Sequence, residues 1–65
     1  MVWLKRLAEI RATRGITQQE LSEKSGVAQD RISLYETGKA KPFPDNLKKL
    51  ACALNCTTDE LLGVG

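Results

Sequence analysis

The tetrapeptide Thr17-Gln18-Gln19-Glu20 opens a helix, and Gly26 ends it a few residues later. A threonine oxygen at the cap accepts the backbone N–H three residues on. The glutamate at that third position returns a bond to the cap's own N–H, which fixes the start. Glycine takes the left-handed backbone that stops a helix without steric cost, which fixes the end. The spacing predicts a helix over about 18–24, anchored through Leu21. A helix this short is unstable alone in water and depends on packing, so the chain is expected to be built from short helices leaning on one another.

The rest of the sequence follows the same pattern. Leu4, Leu7 and Ile10 recur at helical spacing with Lys5, Arg6, Glu9 and Arg11 between them, predicting a first helix over 2–13 that Gly15 stops. After Gly26, Val27 turns inward and a third helix is expected over about 29–36, with Ile32 and Tyr35 facing the core and Gly38 as its stop. "KAKPFP", residues 39–44, is too proline-rich for a helix and reads as a loop. Pro44 suits the first turn of a fourth helix, which Leu47, Leu50, Ala51 and Leu54 carry to Asn55. Thr57-Thr58-Asp59-Glu60 repeats the capping-box spacing and begins a short fifth helix that contributes Leu61 and Leu62. No strand signal, internal repeat or low-complexity tract intervenes. The fold class read from these elements is all-α, a five-helix bundle with residues 1–65 as one domain.

Composition narrows the function by exclusion. A chain of 65 residues buries only about 60% of its unfolded surface, so it is marginal unless stapled. Cys52 and Cys56 are too few to form a zinc site without further ligands. Nothing at the N-terminus reads as a signal peptide, so both are expected to be reduced thiols in a cytoplasm, in packing or bystander roles. No apolar run approaches the roughly 20 residues of a membrane span. Histidine is absent, and neither an activated nucleophile nor a glycine-rich phosphate loop is evident. No catalytic residue, metal or cofactor is expected, and the chain does not read as an enzyme. The net charge is only +2, but it is segregated. Residues 1–14 carry +3 (Lys5, Arg6, Arg11 and Arg14 against Glu9), and residues 31–49 carry +3 (Arg31, Lys39, Lys41, Lys48 and Lys49 against Glu36 and Asp45). The C-terminal stretch with Asp59 and Glu60 is acidic. Such segregation can make one face basic while another stays neutral.

Two short helices joined by a glycine turn form the helix-turn-helix unit, here over about 17–37. The stretch "TQQELSEKSGVAQDRISLYETGKAKP" resembles the core of the lambda-repressor-like, Xre/Cro-type transcriptional regulators. The similarity extends from about Leu4 to Leu62, with Gln18, Leu21, Gly26, Ile32-Ser33, Glu36, Gly38 and Leu50-Ala51 followed by Leu54 as its strongest markers. The resemblance implies a sequence-specific double-stranded DNA-binding regulator, read as a repressor, whose third helix lies in the major groove. Gln29, Asp30 and Leu34 match the family's base-reading positions, and Arg31 and Ser33 flank them. Gln29 has the fork for adenine, Asp30 can accept from cytosine, and Leu34 can touch a thymine methyl. Thr17, Gln18, Lys39 and Lys41 match phosphate-contacting positions, with Gln18 also placed to brace the base-reading glutamine. Arg11 and Glu36 match a family ion pair tying the first helix to the end of the third.

Plainer readings stand beside these. Gln29 and Asp30 also suit the positive end of any helix, Leu34 also suits a core or interface, and the two lysines also suit a solvated loop. The chain departs from the family at Ala28, which cannot cap the third helix. It departs again at Ser22, where alanine is common, and at Phe43, where a polar cap is usual. Trp3 has no assigned role. The resemblance further implies a homodimer on an inverted-repeat operator, and the surface that remains for pairing, away from the groove, is the acidic, apolar end with Leu61, Leu62 and Val64. The alternative is a protein-interaction module of the same fold, antitoxin-like or scaffolding, that does not bind DNA.

Overall fold

The computed structural model describes residues 3–63; Met1, Val2, Val64 and Gly65 lie outside them. The described residues form five α-helices and no strand: α1 (Leu7–Thr13), α2 (Gln18–Ser25), α3 (Gln29–Thr37), α4 (Pro44–Ala53) and α5 (Thr58–Leu62). Helix α2 packs on α3 and α4, α1 on α3 and α5, and α4 on α5.

Both capping boxes form. The Thr17 hydroxyl accepts the Glu20 N–H at 3.1 Å and the Glu20 carboxylate accepts the Thr17 N–H at 3.0 Å. Thr57 and Glu60 repeat the exchange at 3.1 and 3.4 Å. Gly26 ends α2 at φ 79°. A Cβ there would meet nothing within 4 Å, so the position requires glycine for its backbone rather than for space. The following residue, Val27, is buried, and its N–H donates to the Ser25 hydroxyl at 3.1 Å. These contacts fix the tight turn between α2 and α3.

The first helix differs from its predicted extent. Residues 3–6 form a bend and turn, and α1 begins only at Leu7. The Arg6 N–H donates to the Leu61 carbonyl and the Leu7 N–H to the Leu4 carbonyl, each at 3.2 Å. Anchored in this way, the segment cannot continue the helix backwards. Leu4 is still only 1% exposed, serving the core from the turn.

The core is Leu4, Leu7, Ile10, Leu21, Val27, Ile32, Tyr35, Leu50, Ala51, Leu54 and Leu61, with Leu47, Leu62 and Cys56 among the half-buried residues at its margin. Leu61 therefore has to be corrected as a dimer contact. It is 0% exposed, enclosed where α5 meets α1 and α4, and has no surface to offer a partner. Full burial of one such leucine contributes roughly 2–3 kcal/mol, a large share of the stability of so small a fold.

Helix α4 stops on Asn55, which takes φ 54°. The Asn55 N–H donates to the Cys52 carbonyl at 3.2 Å and the Cys56 N–H to the Ala51 carbonyl at 3.0 Å. This paired closure places the residue after the left-handed one against the helix it terminates, and so accounts for the half-buried position of Cys56. Burial raises the Cys56 thiol pKa, as does the charge of Glu60, with Arg14 and Arg6 opposing. Cys52 is exposed.

Candidate nucleic-acid interface

Helix α3 presents a bare tip. Ala28 stands at its N-cap with no side-chain hydrogen bond, so the first N–H groups of the helix face outward without a capping partner. Gln29, Asp30 and Arg31 occupy the first turn and are all exposed. Ser33 and Leu34 follow one turn on, half-buried, while Ile32 and Tyr35 point into the core. The five candidate base-contacting residues thus run along the outer side of one helix, held in place by two buried anchors.

Behind this tip, a polar network joins three helices. Arg11 on α1 donates through Nε to Glu36 Oε2 at 2.8 Å and through Nη2 to Glu36 Oε1 at 3.2 Å. Its Nη1 donates to the Ile16 carbonyl at 2.9 Å, in the connection before α2. The hydrogen bond to Glu36 holds the Arg11 proton more firmly than usual, against a smaller opposing effect of burial. Gln18, the first residue of α2, donates its side-chain amide to Glu36 Oε1 at 3.0 Å. This bond uses one amide N–H of Gln18 and leaves its second N–H and its carbonyl oxygen without a partner among the hydrogen bonds of the described residues. The Gln18 and Gln19 backbone N–H groups remain at the open end of α2, beside the Thr17 cap.

On the other side of α3, Lys39 and Lys41 are exposed in the loop to α4, and neither joins an ion pair among the described residues. The Tyr35 hydroxyl accepts the Asn46 side-chain amide at 2.9 Å, tying α3 to the first turn of α4 across that loop. Arg14 Nε donates to the Leu54 carbonyl at 3.0 Å, joining the ends of α1 and α4. Sequence reasoning missed both bonds: each links an ordinary polar residue to a distant partner, and no local spacing marks them.

The arrangement is a two-helix unit with a glycine turn, an exposed polar tip on the second helix, and basic residues in the loop beyond it. That is the helix-turn-helix class. The chain belongs to the lambda-repressor-like, Xre/Cro-type branch of the helix-turn-helix family, which matches it over residues 7–61. It is similar to the HTH-type transcriptional regulator ImmR of Bacillus subtilis, 42% identical over 59 residues that make up 91% of this chain and 46% of the relative. It is also similar to RstR, the cryptic phage CTXphi transcriptional repressor of Vibrio cholerae, 36% identical over 91% of this chain and 53% of the relative. An uncharacterized HTH-type transcriptional regulator of Archaeoglobus fulgidus is 38% identical over 86% of this chain and 80% of its own length. The chain spans about half the length of ImmR and RstR.

No group of three or more potential metal ligands occurs among the described residues, and no helix there is long and apolar enough to cross a membrane. Of the residues assigned to pairing, Leu61 is interior, Leu62 is half-buried at the end of α5, and Val64 lies outside the described residues.

Proposed function

We propose that this chain reads double-stranded DNA as the sequence-specific part of a cytoplasmic transcriptional regulator, acting as a repressor by occupying promoter DNA. The observation that carries this reading is the bare tip of α3, with Gln29, Asp30 and Arg31 exposed around uncapped N–H groups. The uncapped N–H groups and Arg31 suit phosphate oxygens and acceptor base edges, and Gln29 suits a base edge that presents a donor and an acceptor together. Gln29, Asp30, Arg31, Ser33 and Leu34 are assigned to base edges. Thr17, Gln18, Lys39 and Lys41 are assigned to phosphates on either side. One α3 reads only a few base pairs, so a homodimer on an inverted repeat is the working assembly. Its half-sites would lie about 34 Å apart, one helical turn, with Leu62 and Val64 in the pairing surface. Relatives named as transcriptional regulators, a phage repressor among them, support the same reading.

The exposed carboxylate of Asp30 at the tip favours the rival, an interaction module that does not bind DNA. Binding to duplex DNA across a salt series separates the two. A regulator loses affinity steeply with salt, each neutralised phosphate adding about 0.9 to the log–log slope. Binding that is absent or indifferent to salt would instead support the rival.

A further inference from the structure

Phe43 is 70% exposed, and the backbone on both sides holds it there. Pro42 before it is buried, and Pro44 after it opens α4. A proline fixes its own φ and keeps the preceding residue extended, and Phe43 lies at φ −86°, ψ 159°. The Tyr35–Asn46 hydrogen bond closes the loop from the far side. A single exposed apolar side chain is ordinary on a protein surface. This one stands at the N-cap of α4 with a side chain that makes no capping hydrogen bond, is not part of the core, and shares its loop with Lys39 and Lys41. The acidic neighbour is Asp45, in the first turn of α4.

A DNA strand alternates phosphates with apolar deoxyribose faces, and Lys39, Lys41 and Phe43, at every second position of the loop, place an aromatic ring next after two ammonium groups. Resting on the DNA-binding reading above, we propose that Phe43 packs on a deoxyribose beside the phosphate that Lys41 neutralises. This is an apolar contact on the backbone, outside the major groove. The flanking prolines restrict the backbone at Phe43, so less backbone freedom remains to be lost on binding.

The test compares wild type, Phe43→Ser, Phe43→Leu and Lys41→Ala on one duplex selected by the wild-type protein, across a salt series. Serine is a favoured N-cap residue, so Phe43→Ser keeps α4 well started. Phe43→Ser is expected to bind about tenfold more weakly at every salt concentration with the slope unchanged, because an apolar contact releases no counterions. Phe43→Leu is expected to keep most of the affinity, and Lys41→Ala to lower the slope by about 1. Equal affinity for Phe43→Ser and wild type overturns the contact while leaving DNA binding intact. A lowered slope for Phe43→Ser also overturns it, showing that the ring only positions the lysines. Self-association of the wild type without DNA, lost in Phe43→Ser by sedimentation, assigns the ring to a second copy and overturns the proposal. Failure of the wild-type protein to bind any duplex defeats the underlying reading instead.

Discussion

Arg11 and Glu36, twenty-five residues apart in sequence, meet with Nε 2.8 Å from Oε2, and the same carboxylate holds the Gln18 amide at 3.0 Å. One side chain on α3 therefore fixes how α1 and the start of α2 stand against the helix that carries the candidate reading residues. The Glu36 side chain is 9% exposed and that of Arg11 20%, so the pair is screened less than a surface ion pair. Glu36→Gln keeps the shape but removes the charge that pairs with Arg11. It should cost about 2 kcal/mol of stability, between the values for exposed pairs and for broken buried ones. Urea unfolding of Glu36→Gln, Arg11→Met and the double variant checks this, and a non-additive cycle is the expected result.

Ala28 leaves α3 without a side-chain cap although its backbone, at φ −57°, ψ 141°, is extended as a cap requires. Ala28→Ser should therefore stabilise the protein by about 1 kcal/mol. Thermal melting of the two proteins measures it, and an unchanged midpoint would place the tip N–H groups in other hydrogen bonds.

Leu61 closes the core rather than a dimer. Leu61→Ala should cost about 2–5 kcal/mol, enough to unfold much of the population of so small a protein, and it should do so at every protein concentration. A loss that vanishes on concentrating the protein would return Leu61 to an interface.

The two thiols should separate chemically. Cys56 is half-buried with its pKa raised, while Cys52 is exposed. Because the folded state holds the Cys56 proton more tightly, the stability this provides is complete below the usual thiol pKa and is lost as pH rises through the raised one. Alkylation near pH 8, followed by mass spectrometry, should label Cys52 well before Cys56, since the thiolate is the reactive form. Equal rates would mean that the end of α4 opens freely.

What the sequence revealed depended on whether the cause was local. The starts of α2 and α5 were legible because a capping box lies within four residues, and the end of α2 because Gly26 alone supplies the left-handed turn. The start of α1 was not, because Leu4 continues the helical spacing while its backbone belongs to a turn set by the Leu61 carbonyl. Leu61 and Leu62 are adjacent and chemically alike, so only packing could say which one is interior. The positions lining the outer side of α3 were legible from helical period and resemblance. The partner of the Gln18 amide was not, since it required knowing that Glu36 comes within 3.0 Å.

The central claim is that the tip of α3 reads base sequence, and selection of bound duplexes from a random pool by wild type and Gln29→Ala tests it most directly. The wild type should enrich one motif made of inverted half-sites a helical turn apart. Gln29→Ala should bind that motif about 1–3 kcal/mol more weakly and lose preference at one symmetric base position. An unenriched pool for the wild type, or an identical motif and affinity for Gln29→Ala, would contradict it.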